Sequence, residues 1–326
     1  MTKVIGIGNA LVDIMTSLDD DTLLLELNLP KGSMQLVDLD FSNHVLNSSA
    51  HLRKTLTAGG SASNTIYGLA KLGIETAFVG KIGSDEYGKA YSDDLRSNKI
   101  LPKLLISSSH SGRAVALISL DSERTFATHL GAAVEFAAED ILDEHFNGYD
   151  ILHIEGYLVQ NYPLINKAIE LAKKAGLKIS IDLASYNVVE EHIDFLKDTL
   201  KDNVHIIFAN EEEARAFTGK GPMEALGFLT EFADIAVVKI GPEGSLIKKG
   251  KEVYKINPVK AKSIDTTGAG DLYASGFLYG HVKGYSMGVC GAIGSVLAGN
   301  IIEVIGARMN EERWQKIYTS IQKVTN

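Results

Sequence analysis

Asp265-Thr-Thr-Gly-Ala-Gly-Asp271 runs without a break into Leu272-Tyr-Ala-Ser-Gly-Phe-Leu-Tyr279, whose apolar residues recur at helical spacing. A polar, extended-looking lead-in, Lys260-Ala-Lys-Ser-Ile264, comes before it. A Gly-Ala-Gly turn that opens a helix leaves its first backbone N–H groups without intrahelical partners. Those groups lie at the positive end of the helix dipole, so the turn is an anion site that small side chains leave open. Asp271 falls in the first helical turn, where its carboxylate repels a bound phosphate. The position gains sense if Asp271 takes a proton from a hydroxyl that attacks the phosphate. By themselves the residues fit equally a turn followed by an ordinary acidic helix start.

The seven residues Asp265–Asp271 resemble the C-terminal signature of the ribokinase-like (PfkB) family of carbohydrate and nucleoside kinases. The resemblance implies a backbone anion hole at Gly268, Ala269 and Gly270, Asp271 as catalytic base, and ATP beside Thr266. An unperturbed Asp has a pKa of about 3.9, and the helix N-terminus favours its charged form. Asp271 is therefore expected to be ionised and to accept the proton as the new P–O bond forms.

Three further stretches resemble the same family in the expected order. Gly8-Asn-Ala-Leu-Val-Asp13 resembles its first strand, where the Asp binds sugar hydroxyls; a carboxylate can accept two hydroxyl protons at once. Asp13 also fits a turn or helix cap. Ala58-Gly-Gly-Ser-Ala-Ser-Asn64 resembles the N-terminal Gly-Gly signature, which implies sugar contacts from Gly59, Gly60 and Asn64. Ser61 stands where ribokinase-type sequences often carry Lys, which weakens a free-ribose assignment. Asn210-Glu-Glu-Glu213 resembles the Asn-x-x-Glu motif, implying Asn210 at the nucleotide and Glu213 on Mg²⁺ through water. It equally suits the acid-rich start of a helix. By resemblance, too, the turn Gly241-Pro-Glu-Gly244 approaches ATP, and Arg124 lies near the transferring phosphate as in adenosine-kinase-like members. Arg124 reads as readily as a surface residue at a strand end. Ile301–Arg308 resembles the corner where many relatives hold a monovalent cation such as K⁺.

Two glycine patterns compete and fail on mechanics. Gly6-x-Gly8 has Leu11 where a dinucleotide fingerprint needs Gly or Ala. Gly83-Ser-Asp-Glu-Tyr-Gly-Lys89 is followed by Ala90, which cannot ligate Mg²⁺ as the Ser or Thr of a phosphate loop does.

Composition bounds the rest. The 326 residues are 45% hydrophobic and 22% charged, as in an ordinary globular chain. The net charge of −9 argues against a nucleic-acid partner. No stretch approaches the roughly 18 apolar residues of a membrane span, and the N-terminus lacks a signal peptide's pattern. One cysteine, Cys290, fits a reducing compartment, hence a cytoplasmic expectation. None of the nine His stands at a metal-ligand spacing with Cys or another His. Lys3–Gly8, Tyr149–Glu155, Lys178–Leu183, Val204–Phe208 and Asp234–Ile240 read as strands, with a crossover helix over Leu164–Ala175. Leu101–Ser109 and Gly112–Leu120 read as a hairpin. The resemblance spans the chain and implies one α/β domain over residues 1–326, a mostly parallel sheet flanked by helices. A small, partly helical lid over about 14–56 and 101–128 completes it. It implies a Mg-ATP-dependent kinase for a primary hydroxyl of an adenosine-like nucleoside, acting as monomer or homodimer. A kinase for a free sugar or sugar acid is the alternative, and a non-catalytic sugar- or nucleotide-binding regulator a more distant one.

Overall fold

Short runs of Val and Ile alternate with helices along most of the chain, and the strands assemble into two sheets. The computed structural model describes residues 2–121 and 123–325. Its strands are β1 (Lys3–Ile7), β2 (Leu11–Ser17), β3 (Met34–Leu36), β4 (Lys54–Ala58), β5 (Glu75–Gly83), β6 (Ile100–Ser107) and β7 (Gly112–Ile118). There follow β8 (Arg124–His129), β9 (Ile151–Glu155), β10 (Lys178–Asp182), β11 (Val204–Asn210), β12 (Ala233–Lys239), β13 (Ser245–Lys249) and β14 (Glu252–Ile256). The large sheet has the order β14-β13-β12-β11-β10-β9-β1-β5-β6 and the small one β3-β8-β7-β2-β4. Every pairing from β6 across to β12 is parallel, and β13 and β14 add an antiparallel edge.

Helices cover both faces of the large sheet, so its central parallel strands are mostly buried along their length rather than alternating. Successive residues point to opposite cores: Val4 packs with helices Ser61–Lys71, Ala269–Val282 and Met287–Ile301, whereas Ile5 and Ile7 pack with Tyr162–Lys174. Helices Ala269–Val282 and Met287–Ile301 are apolar all round because both are buried. Small residues let them approach closely: a Cβ on Gly276 would lie 2.7 Å from the Ile293 carbonyl oxygen.

The chain leaves the large sheet twice to build the small one. The first excursion passes from β1 through Gly8–Ala10 into β2 and returns through β4 to helix Ser61–Lys71, with short helices at Thr22–Glu26 and Leu39–Ser48. The second excursion corrects the hairpin expected over 101–120. β6 lies parallel to β5 in the large sheet, from Thr76↔Ile100 to Gly83↔Ser107, while β7 pairs with β2 in the small one. Two consecutive apolar runs around a Ser-rich turn look alike in sequence whichever sheet each joins. The crossing is pinned by Asp85, which accepts hydrogen bonds from Ser111 N (2.9 Å) and Ser111 Oγ (2.6 Å). Asp85 also caps helix Glu86–Ser97 through Gly88 N. The apparent phosphate loop at 83–90 is therefore a capped strand-to-helix turn.

Gly68 marks the closest approach between helices Ser61–Lys71 and Ala269–Val282. A Cβ there would run into Ser275 Oγ, which donates to the carbonyls of Thr65 (2.8 Å) and Asp271 (3.0 Å). Gly68→Ala gains about 1 kcal/mol of helix propensity. Overpacking of this kind costs about 1–3 kcal/mol, so a net loss of about 1 kcal/mol is expected. Urea unfolding checks it; an unchanged or raised midpoint would mean that the two helices are not in tight register.

Candidate active site

The site lies where the C-terminal ends of β1, β9, β10, β11 and β12 meet the small sheet, the edge at which open parallel sheets bind ligands. Its centre is the start of helix Ala269–Val282. Gly268 caps that helix in the left-handed conformation (φ 73°), and a Cβ on it would sit 2.9 Å from Ala307 Cβ. Ala269 N donates to the Thr266 carbonyl at 3.1 Å. The amides of Gly268, Gly270 and Asp271 have no hydrogen-bond partner among the described residues. The free donors are thus not quite those expected from the sequence. The tight turn uses the Ala269 amide itself and leaves that of Asp271 available.

Asp271 does not keep an ordinary acidity. Ser61 Oγ donates to its Oδ1 at 2.7 Å and Asn64 Nδ2 to its Oδ2 at 3.0 Å. Desolvation nevertheless pushes its pKa up to about 6, with the Asp182 carboxylate adding and Lys239 opposing. The expectation of an unshifted Asp is corrected for that reason: the helix dipole acts, but the loss of water around the carboxylate acts more strongly. Asn64 is buried, and its amide is engaged by Asp271 on one side and by Arg308 Nη1 (2.7 Å) on the other.

Asp13, paired with Thr57 across β2 and β4, lays its side chain against Gly59. A Cβ on Gly59 would collide with the Asp13 carboxylate. Desolvation holds the Asp13 carboxyl up at about 6; Arg308 and Arg124 pull it down, and Asp271 pushes it up. Gly60 has φ 91°, and a side chain there would strike the Asn9 carbonyl oxygen. Glu155, buried at the end of β9, was missed in the sequence. Its Oε1 accepts from Asn9 N (3.2 Å) and Nδ2 (2.8 Å), and its Oε2 accepts from Ala62 N (3.1 Å). It joins the β1–β2 turn to the start of helix Ser61–Lys71, and burial pushes its pKa up to about 7.

Arg124, at the start of β8, is buried rather than superficial. Its guanidinium is ion-paired with Asp265 and donates to Thr267 Oγ1 at 2.7 Å. Asp265 also accepts from Thr267 N (2.9 Å) and Gly306 N (2.7 Å). That carboxylate therefore gathers donors from three separate segments. Arg308 lies over the Tyr67 ring at 4.2 Å and bonds Asn64 and the Ala58 carbonyl.

A second charged group lines the turn. Asn210 and Glu213 form a reciprocal helix cap: Glu213 N donates to Asn210 Oδ1, and Asn210 N and Nδ2 donate to the Glu213 carboxylate, all within 2.8 Å. Burial pushes the Glu213 carboxyl up to about 7, against the pull of Lys239. Lys239, at the end of β12, pairs with buried Asp182 at 2.7 Å. Gly241 and Gly244 lie in the turn directly after Lys239, both with positive φ. Thr266 is exposed beside the Gly-Ala-Gly turn.

Among the described residues no group of three His, Cys, Asp or Glu could hold a metal directly. Glu213 keeps lone pairs free for water, which fits a hydrated ion carried on phosphates. Among the described residues no helix is long and apolar enough to cross a membrane. A cleft of about 650 Å³, lined by Lys178, His205, Lys249 and His281, lies at the opposite end of the strands. The missed residues Glu155, Asp182 and Lys239 share one signal: each is a charge at the last position of a mostly buried strand.

Residues 38–314 match the pfkB family carbohydrate kinase domain. The chain is 30% identical to a nucleoside kinase of Methanocaldococcus jannaschii over 271 residues, 81% of this chain and 85% of that one. Its fold is similar to that of an adenosine kinase from Sinorhizobium meliloti (TM-score 0.86, 32% identity). It is equally similar to a probable sugar kinase from Rhizobium etli (TM-score 0.87, 30% identity). In both cases the likeness covers 98% of this chain and 99% of the other.

Asp13 and Asp271 titrate near 6 and Glu155 and Glu213 near 7, all above their ordinary values near 4. Between about pH 4 and 7 these four carboxyls bind more protons in the folded chain than in the unfolded one, so their contribution to stability falls as pH rises through that window, opposed by His145, His153 and His281, whose pKa values burial lowers. Urea unfolding at pH 5.5 and 7.5 should give the higher midpoint at pH 5.5, and Asp271→Asn should shrink the difference. A pH dependence unchanged in Asp271→Asn would contradict the raised pKa of that buried carboxyl.

Proposed function

The chain belongs to the pfkB family of carbohydrate kinases, and from that premise we propose that it phosphorylates a primary hydroxyl of an adenosine-like nucleoside. The coarser activity, an ATP-dependent sugar or nucleoside kinase, follows from the family and from the kinases the chain is similar to. One observation carries the finer reading: a desolvated carboxylate, Asp271, stands beside three amides unpartnered among the described residues, and a second desolvated carboxylate, Asp13, lies against Gly59, close enough for the Asp271 charge to raise its pKa. The first pair suits a proton acceptor next to a phosphoryl site, and Asp13 suits vicinal ribose hydroxyls. Ser61 donates to Asp271 where a Lys would otherwise reach for a free sugar, which favours a nucleoside over ribose.

In the proposed reaction the acceptor oxygen attacks the terminal phosphorus of ATP in line. The bond from that phosphorus to its bridging oxygen breaks, and the electron pair leaves with ADP. The hydroxyl proton passes to Asp271, which with a pKa of about 6 is mostly ionised at neutral pH and a better match for this task than an ordinary Asp. Amides of Gly268, Gly270 and Asp271 stabilise charge on the phosphoryl oxygens. The buried Arg124 keeps its Nε without a hydrogen-bond partner among the described residues and is fixed by Asp265, which suits a role at the same oxygens. Glu213 and Asn210 would hold hydrated Mg²⁺, whose chemistry is to neutralise phosphate charge. The small sheet is proposed as the lid over the acceptor; of its expected second part, residues 101–107 belong to the large sheet instead. The single buried cysteine, Cys290, supports a reducing compartment such as the cytoplasm.

Coupled ADP release should be screened over nucleosides, pentoses, hexoses and sugar acids. The highest kcat/KM is expected on a purine nucleoside; a clear preference for a free sugar or sugar acid would overturn the acceptor assignment. Asp271→Asn should lower kcat by about 10²–10⁴-fold. The acid limb of wild-type kcat/KM should rise through about pH 6 as the Asp271–Asp13 pair deprotonates. Asp13→Asn should instead raise the acceptor KM by about 10–100-fold, the worth of a hydrogen bond to a charged group. Near-normal turnover in Asp271→Asn would reduce that residue to a helix cap.

A further inference from the structure

Lys239 has no part in the motifs that mark the family in this chain, yet it sits within the anion turn. A Cβ built on Gly270 would lie 2.9 Å from Lys239 Nζ, so the ammonium packs directly against the first turn of helix Ala269–Val282. β12 delivers it there from the neighbouring strand end, in register with Asn210 of β11 (Asn210↔Lys239). Asp182 Oδ2 holds it at 2.7 Å, while Asp182 Oδ1 is tied to Ala184 N at 3.2 Å. The Lys239 side chain is 15% exposed. Asp182, Glu213 and Asp271 all favour its charged form, and its pKa is raised although it is buried.

We infer that Lys239 is a catalytic residue of phosphoryl transfer, its ammonium touching the terminal phosphoryl group of ATP seated on the amides of Gly268, Gly270 and Asp271. An anion within hydrogen-bond reach of those amides is also within ion-pair reach of a cation packed on Gly270. Without it, three carboxylates would face the polyphosphate. Lys239 gives up no proton in this role. It stabilises negative charge on the transferring oxygens while the acceptor proton passes to Asp271 and the electron pair leaves with ADP. A Lys suits a site needing a compact point charge, and its ion pair with Asp182 prevents it from swinging away as the phosphoryl group moves.

The inference rests on the kinase reading above, and the test separates the two. Lys239→Met is compared with wild type by calorimetric binding of MgATP and MgADP, by turnover on the best acceptor of the screen, and by thermal melting. Turnover is expected to fall about 10²–10³-fold, the usual effect of losing one donor to a developing oxyanion. MgATP affinity should fall about 10-fold or more, with MgADP affinity within about twofold of wild type, because only ATP carries the contacted group. Because this variant leaves Asp182 unpaired and could unfold, the double variant Asp182→Asn/Lys239→Met is measured beside it. It should regain the melting temperature but not the turnover. Recovery of both, or equal loss of MgATP and MgADP binding, would show that Lys239 only neutralises Asp182 and Glu213. If wild type phosphorylates no acceptor, the kinase reading fails, and the ATP-over-ADP comparison still decides whether Lys239 meets the terminal phosphate.

Discussion

The Asp265 carboxylate is the constraint on which the site depends. Its two oxygens gather Thr267 N from the Gly-Ala-Gly turn, Gly306 N from the C-terminal corner and the guanidinium of Arg124 from the small sheet. Three segments far apart in sequence are fixed at one point. A buried carboxylate is tolerable only when its lone pairs and charge are met, and removing one partner of such a pair costs about 3–5 kcal/mol. The arrangement therefore holds the helix start in place while the amides of Gly268, Gly270 and Asp271 have no partner among the described residues. Unpaired donors at a helix start are stable only if water or a ligand satisfies them.

Around that fixed turn the chain concentrates charge against the grain of its composition. An overall balance of −9 sets an unfavourable field for a polyphosphate. The structure answers locally: Lys239, Arg124 and Arg308 are each partly or fully buried, and each is anchored by a carboxylate of the chain. Anchored cations in a site of low dielectric act more strongly than mobile ones on the surface. The same burial raises Asp13, Asp271, Glu155 and Glu213, so the site holds four carboxylates poised within reach of neutral pH. A strained charge balance of this kind is a usual mark of a catalytic centre.

The small sheet is tied to the large one at the site itself. Asp13 on β2 meets Gly59, Arg124 on β8 meets Thr267, and Asp85 and Ser111 pin the second crossing. Under the proposed function, movement of the small sheet would shift the acceptor-side Asp13 and the phosphate-side Arg124 together. Coupling the approach of both reactants to one rigid body is a direct way to exclude water until the site is complete.

The sequence by itself determined the parallel α/β architecture, since unbroken apolar strands alternating with helices admit few other solutions. It marked Asp271, Asp13, Gly59, Gly60 and Glu213 only through their resemblance to family motifs, because the local chemistry of a turn or helix start suits an ordinary cap as well. Tertiary structure alone decided which run joins which sheet, as with β6 and β7, because pairing partners are not encoded in a run's own pattern. It decided too that Ala269 spends its amide within the turn, that Asn64 and Ser61 serve Asp271, and that Lys239 reaches Gly270. Above all it decided acidity: the Asp271 pKa is about 6 because of what surrounds it after folding, and desolvation has no signature in a linear string of residues.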